Sequence, residues 1–204
     1  MNETTRANDS SQHTHKCVER DYSSRIFDEL ARTIETGRRY RVLDLGQSFE
    51  QNINFFSQFS AHIQVEDLVA ALHAGRDFSE ALDEIKTLEG KKPFDFILCW
   101  DLLDHLTVEQ SEKLFLVLAN LSHADSKISL IHFKGKEKAI APGQYKILNP
   151  KSLRYQITVE RVTRHTDLFA QNVRAVQKQF IRERCYLLRH GVEEYLLKRP
   201  ACPL

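Results

Sequence analysis

The segment Phe94-Asp95-Phe96-Ile97-Leu98-Cys99-Trp100 is apolar at every position but one. Lys91-Lys92-Pro93 precedes it and Asp101 follows it. So short a run, apolar without alternation, reads as a strand covered on both faces; a strand with one face in water would alternate. Such a strand needs a layer above it and a layer below it. Crossover helices joining parallel strands supply both.

The flanking sequence has that pattern. Tyr22–Thr36 is expected to be a helix, with Ile26, Phe27, Leu30 and Ile34 on one face and Gly37 to end it. Arg41–Leu45 and His62–Val65 read as short strands. Between them Glu50–Phe59 reads as a helix facing inward through Ile53, Phe55 and Phe56. Leu68–Leu72 and Phe78–Leu88 read as two short helices with no strand between them. Thr107 and Gln110 have capping-box spacing and open a helix with Leu114, Phe115, Leu118 and Leu121 as its buried stripe. Lys127–Phe133 is another apolar strand, and Gly135–Pro150 is polar with a turn signal at Pro142-Gly143. Leu168–Val176 reads as a helix. Phe180–Leu188 and Val192–Leu197 read as a hairpin around His190-Gly191. The expected fold class is α/β: one three-layer domain over residues 21–199, mostly parallel, with a C-terminal antiparallel hairpin. Residues 1–20 are polar and aperiodic and are expected to be a flexible, disordered N-terminal tail. Residues 200–204 are expected to be a short C-terminal tail.

Composition narrows the function classes. The 204 residues are 42% hydrophobic, enough for one core. Lys and Arg number 29 against 28 Asp and Glu, which argues against nucleic acid as a partner through net charge. The charge is unevenly spread: residues 66–112 are strongly acidic and residues 151–199 basic. No apolar run reaches the ~18–20 residues of a membrane span, and Met1–Arg20 lacks the apolar core of a signal peptide. A cytoplasmic protein without a membrane partner is expected. Cys17, Cys99, Cys185 and Cys202 show no two-residue spacing, so neither a thiolate metal site nor a disulfide framework is expected. His13 and His15 make only a two-histidine pair, and no metal is expected.

In open parallel sheets the ligand sits outside the carboxyl ends of the strands, near the switch point. The candidates are therefore Asp44–Glu50, Glu66-Asp67 and Trp100–His105. At these places the chain resembles the class I S-adenosylmethionine-dependent methyltransferases, a Rossmann-like superfamily. Val42-Leu43-Asp44-Leu45-Gly46 resembles the opening of their cofactor loop, and Asp67 stands where their second acidic residue ends the next strand. Phe94–Trp100 followed by Asp101-Leu102-Leu103-Asp104-His105-Leu106 resembles their fourth strand and the segment after it.

The resemblance implies a methyltransferase using S-adenosylmethionine, acting on a small molecule or a protein side chain. It implies that Asp44, Gly46 and Ser48 surround the methionine end of the cofactor. Asp67 or Glu66 would hold the ribose diol, which a carboxylate suits by accepting two hydrogen bonds. Asp77 would meet the adenine amino group, and Trp100 and Asp101 would line the sulfonium. His105 and Asp101 are the candidate catalytic pair, an imidazole being a suitable base near neutral pH. Tyr145 and Tyr155 fall where the family often recognises substrate, or else they are ordinary packing residues.

The chain departs from the family pattern in its turn, Gly46-Gln47-Ser48-Phe49-Glu50, where Ser48 and Glu50 replace glycines. Glu50 would either occupy the anion site or face solvent in the first helical turn. Phe49 would fill space that the cofactor needs. These departures motivate the alternative, a methyltransferase-like protein that has lost cofactor binding and serves as a binding or scaffold module. Phosphate-loop, nucleophile-elbow and metalloprotease motifs are absent.

Overall fold

The computed structural model describes residues 16–47, 49–133, 137–139, 143–161 and 168–201. Its centre is a six-stranded sheet in the order β3-β2-β4-β5-β10-β9. The strands are β2 (Tyr40–Asp44), β3 (Ala61–Val65), β4 (Phe94–Trp100), β5 (Ser122–Phe133), β9 (Ile181–Leu187) and β10 (Val192–Lys198). β2 pairs parallel with β3 and β4, and β4 parallel with β5. β10 runs antiparallel to both β5 and β9, so it is the sheet's one reversed strand. The expected mostly parallel α/β fold and its terminal hairpin are both present.

Alternation along the central strands feeds two cores. Leu43, Ile97, Cys99, Ile128, Leu130, Tyr195 and Leu197 point to one face. There they meet α3 (Leu68–His73), α4 (Phe78–Lys86), α5 (Val108–Asn120) and α6 (Leu168–Val176). Val42, Phe96, Leu98, Trp100, Ile131 and Val192 point to the other face. That face is covered by α1 (Arg25–Arg32), α2 (Glu50–Ser57) and a small antiparallel sheet. In the small sheet, β8 (Ser152–Arg161) pairs with β1 (Lys16–Ser23) along one edge. Its other edge takes β7 (Gln144–Asn149) and then β6 (Glu137–Ala139).

Several details differ from expectation: β7 and β8 stand where no strand was expected, and α1 ends at Arg32, short of Thr36. Lys16–Arg20 lies in strand β1, where a tail was expected, and Tyr22 belongs to that strand and not to a helix. α1 starts only at Arg25 because Ser24 caps it, its hydroxyl accepting from the Phe27 N–H. Buried Glu194 of β10 accepts from the Arg25 and Ile26 N–H groups, tying the helix start to the sheet. α2 presents Asn52, Phe55 and Phe56 inward, while Ile53 is exposed. The capping box at Thr107 and Gln110 forms as expected. No strand stands between α3 and α4, so β3 is the sheet edge. No helix among the described residues is long and apolar enough to cross a membrane. His13 and His15 lie outside the described residues.

Candidate functional site

From β2 the chain crosses first to β3 on one side and then to β4 on the other. The carboxyl ends of β2 and β4 therefore flank the topological switch point, where an α/β sheet opens a crevice. Asp44 ends β2 and is 3% exposed; one of its oxygens accepts from the Gly46 N–H at 3.0 Å. Burial pushes its carboxyl up to about 6, against the opposing effects of Gly46 and Asn52. Glu66 follows β3, and its N–H donates to the Asp44 carbonyl at 2.8 Å, so the first acidic residue after β3 stands beside the end of β2.

Asp101 follows β4 with φ at 61°, a left-handed conformation uncommon for a residue other than glycine. That twist turns its carboxylate inward, where it is 1% exposed. Oδ2 accepts from the Gly143 N–H at 2.7 Å and lies 3.2 Å from His105 Nε2, while buried Oδ1 has no hydrogen-bond partner among the described residues. Burial raises this carboxyl, with the His105 and Gly143 bonds working the other way. His105 Nδ1 lies 3.0 Å from Nε2 of His73, an exposed residue at the end of α3. Asp101, His105 and His73 thus form a hydrogen-bonded chain from the crevice to the surface. Burial and the neighbouring His105 both lower the His73 pKa.

The other candidate side chains are engaged elsewhere. The Asp67 carboxylate caps α3, accepting from the Ala70 N–H at 3.0 Å. The Asp77 carboxylate caps α4 through Ser79 and Glu80. Glu66 Oε1 accepts from Gln64 Nε2. Trp100 is buried and donates from its indole to Ser129 Oγ at 3.0 Å. Ser48 lies outside the described residues. Glu50 is exposed and accepts from Asn54, so it is a first-turn residue facing solvent. Phe49 packs beneath the Lys146 ammonium, 4.9 Å from the ring centre. Tyr145 and Tyr155 are both buried.

What fills the crevice is the segment from Gly143 into β7. Asn52 is 1% exposed and grips it at two points. Its Nδ2 donates to the Tyr145 carbonyl at 3.1 Å, and its Oδ1 accepts from the Ile147 N–H at 2.8 Å. The Tyr145 ring packs 5.9 Å from the Trp100 ring. A cavity of about 10 Å3 remains between Asp44, Gly46, Asn52, Trp100, Gly143 and Tyr145. Ligand pockets run to about 300–1,000 Å3. The donor set suits S-adenosylmethionine, with buried carboxylates and a glycine that admits close backbone approach. The space beside Asp44 does not, and the separate hollow lined by Glu66, Asp67 and Arg76 is only about 110 Å3, so in this closed arrangement neither admits the whole cofactor.

Sequence reasoning missed Asn52, His73, Gly143 and Asn172. The last, wholly buried on α6, donates to the Leu103 and Leu106 carbonyls and holds the 3-10 turn Leu102–His105 in place. Two of them left a trace in the sequence: Asn52 shares helical spacing with Phe55 and Phe56, and Gly143 belongs to the Pro142-Gly143 turn signal.

No protein-family model matches the chain, and no curated protein does. Solved structures show a limited likeness. The PH0226 protein from Pyrococcus horikoshii aligns over 85% of this chain and 88% of its own, at 11% identity and a TM-score of 0.49. The 1,6-didemethyltoxoflavin-N1-methyltransferase of Burkholderia thailandensis, solved with S-adenosylhomocysteine, aligns over 86% and 77%, at 17% identity and 0.49. An S-adenosylmethionine-dependent methyltransferase from Clostridium acetobutylicum aligns over 86% and 89%, at 12% identity and 0.49. Likeness at this level adds nothing to what the sheet order and the crevice establish.

Proposed function

We propose that this protein is an S-adenosylmethionine-dependent methyltransferase whose cofactor crevice lies between the carboxyl ends of β2 and β4. The observation that carries this reading is the buried Asp44 carboxylate lining the crevice at the switch point, with the buried Asp101 carboxylate bonded to Gly143 of its wall. A buried carboxyl group is costly unless its oxygens are hydrogen-bonded, and Asp101 Oδ1 has no partner among the described residues. Glu66 beside the end of β2 supports a ribose-binding role, and Glu50 faces solvent in the first turn of α2. His105, bonded to Asp101, is the candidate base. The acceptor is a small molecule or a protein side chain. Free Cys17, Cys99 and Cys185 suit a reducing, cytoplasmic compartment.

The filled crevice favours a second reading, a binding module without cofactor. Calorimetric titration with S-adenosylhomocysteine separates the two. Micromolar binding, about −8 kcal/mol, weakened at least tenfold by Glu66→Ala, supports the enzyme. Absence of heat and of thermal shift at millimolar ligand leaves only the binding module.

A further inference from the structure

We infer that His105 and His73 form a proton relay between solvent and the buried Asp101 carboxylate, entered at His73 Nδ1. The relay gives the candidate base His105 an outlet for a proton. It does not rest on the methyltransferase reading, because it needs neither cofactor nor acceptor.

The polarity of the chain follows from its ends. A carboxylate only accepts hydrogen bonds, so beside an ionised Asp101 the 3.2 Å contact requires a proton on His105 Nε2. The neutral ring then has a bare Nδ1. The 3.0 Å contact made there requires a proton on His73 Nε2, which leaves His73 Nδ1 bare. His73 is exposed, whereas the side chains of His105 and Asp101 are only 6% and 2% exposed. His73 is thus the end of the chain that meets water.

Uptake of one proton reverses each bond and keeps every contact. A proton from water bonds to His73 Nδ1. The proton on His73 Nε2 passes to His105 Nδ1, and the proton on His105 Nε2 is passed to, or shared with, Asp101 Oδ2. The net change is one proton gained and one buried negative charge neutralised. His73 is neutral before and after, its N–H moved from Nε2 to Nδ1. Burial draws the proton inward at both ends of the chain: it disfavours a charged Asp101, and with His105 it disfavours a charged His73. The other ionisable groups at the turn do not oppose this. Asp104, on the same turn, adds to the cost of charge on Asp101 and is itself bonded by His132 of β5 at 2.7 Å. Burial keeps the Tyr145 hydroxyl of β7 protonated, and α6 brings the uncharged Asn172.

Nitrogen-15 NMR of the imidazole rings reads the protonation of each nitrogen in the full chain, titrated from about pH 8 to about pH 4. The expected result is that His73 keeps one bare nitrogen as the first proton is taken up. Its N–H should move to Nδ1 in step with the carboxyl carbon signal of Asp101. His73→Gln, at an exposed position, keeps a hydrogen-bonding group against His105 but cannot pass a proton. Exchange of the His105 ring proton with solvent should slow at least about tenfold in this variant. Free imidazole added to His73→Ala should restore the exchange. A His73 that becomes an imidazolium while His105 Nδ1 stays bare overturns the relay, as does unchanged exchange in His73→Gln. Either result leaves the methyltransferase reading untouched, because no ligand enters the experiment.

Discussion

Asp44→Asn is expected to stabilise the chain at neutral pH, by up to roughly 3 kcal/mol. Burial raises the folded-state pKa of this carboxyl to about 6, above the ~3.9 of an unfolded aspartate. Between those values the folded state binds more protons than the unfolded state. Stability is therefore fully present below about pH 4 and is lost as pH rises through about 6. An amide carries no charge to desolvate and keeps an oxygen for the Gly46 N–H. Urea titrations at pH 4, 5, 6 and 7.5 should show the variant and native chains converging at the acid end and separating above it. A gap independent of pH would mean that the charge of Asp44 is not what costs stability. The same substitution should weaken S-adenosylhomocysteine binding, as stability and function pull apart at a site built on a buried carboxylate.

Asn172→Ala is expected to cost about 3 kcal/mol and lower the melting temperature by about 10 °C. Its side-chain amide satisfies two buried carbonyls, Leu103 at 2.8 Å and Leu106 at 3.0 Å. Alanine leaves both without a partner in a site closed to water. Because these carbonyls lie in and next to the turn that carries Asp101 and His105, loosening should reach the crevice. Differential scanning calorimetry reads the loss, and a shift below about 2 °C would show that α6 does not hold the turn. Leu103 and Leu106 amide exchange should rise in parallel.

The sequence was most readable where burial is two-sided. The unbroken apolar run of β4 and the stripe of α5 left little room for another structure, and the capping box located the α5 start. It was least readable in the small sheet. β1 turns only Val18 and Tyr22 inward while its charged residues face water, so it carries too few apolar residues to mark a strand. α2 was misread by one position, because Asn52 took the inner place that Ile53 would fill by hydropathy alone. Asp67 and Asp77 stand where cofactor ligands were expected, yet each caps a helix, a role that the residue type serves equally well. The filled crevice had no local signal. It depends on contacts between residues 52 and 145, and between 101 and 143, which only the folded chain brings together.

β10 is the last strand along the chain, yet it sits between β5 and β9. Until it is in place, β5 has an unpaired edge and β9 has no neighbour through which to join the sheet. During synthesis at about 5–20 residues per second, the five earlier strands of the sheet can emerge without being able to close it. The exposed edge of β5, with Ile128, Leu130 and Ile131 along it, is meanwhile a template for pairing with another nascent chain. Aggregation during expression should therefore depend on how quickly β10 docks, and damage to that strand should appear first as inclusion bodies, before any change in the purified protein.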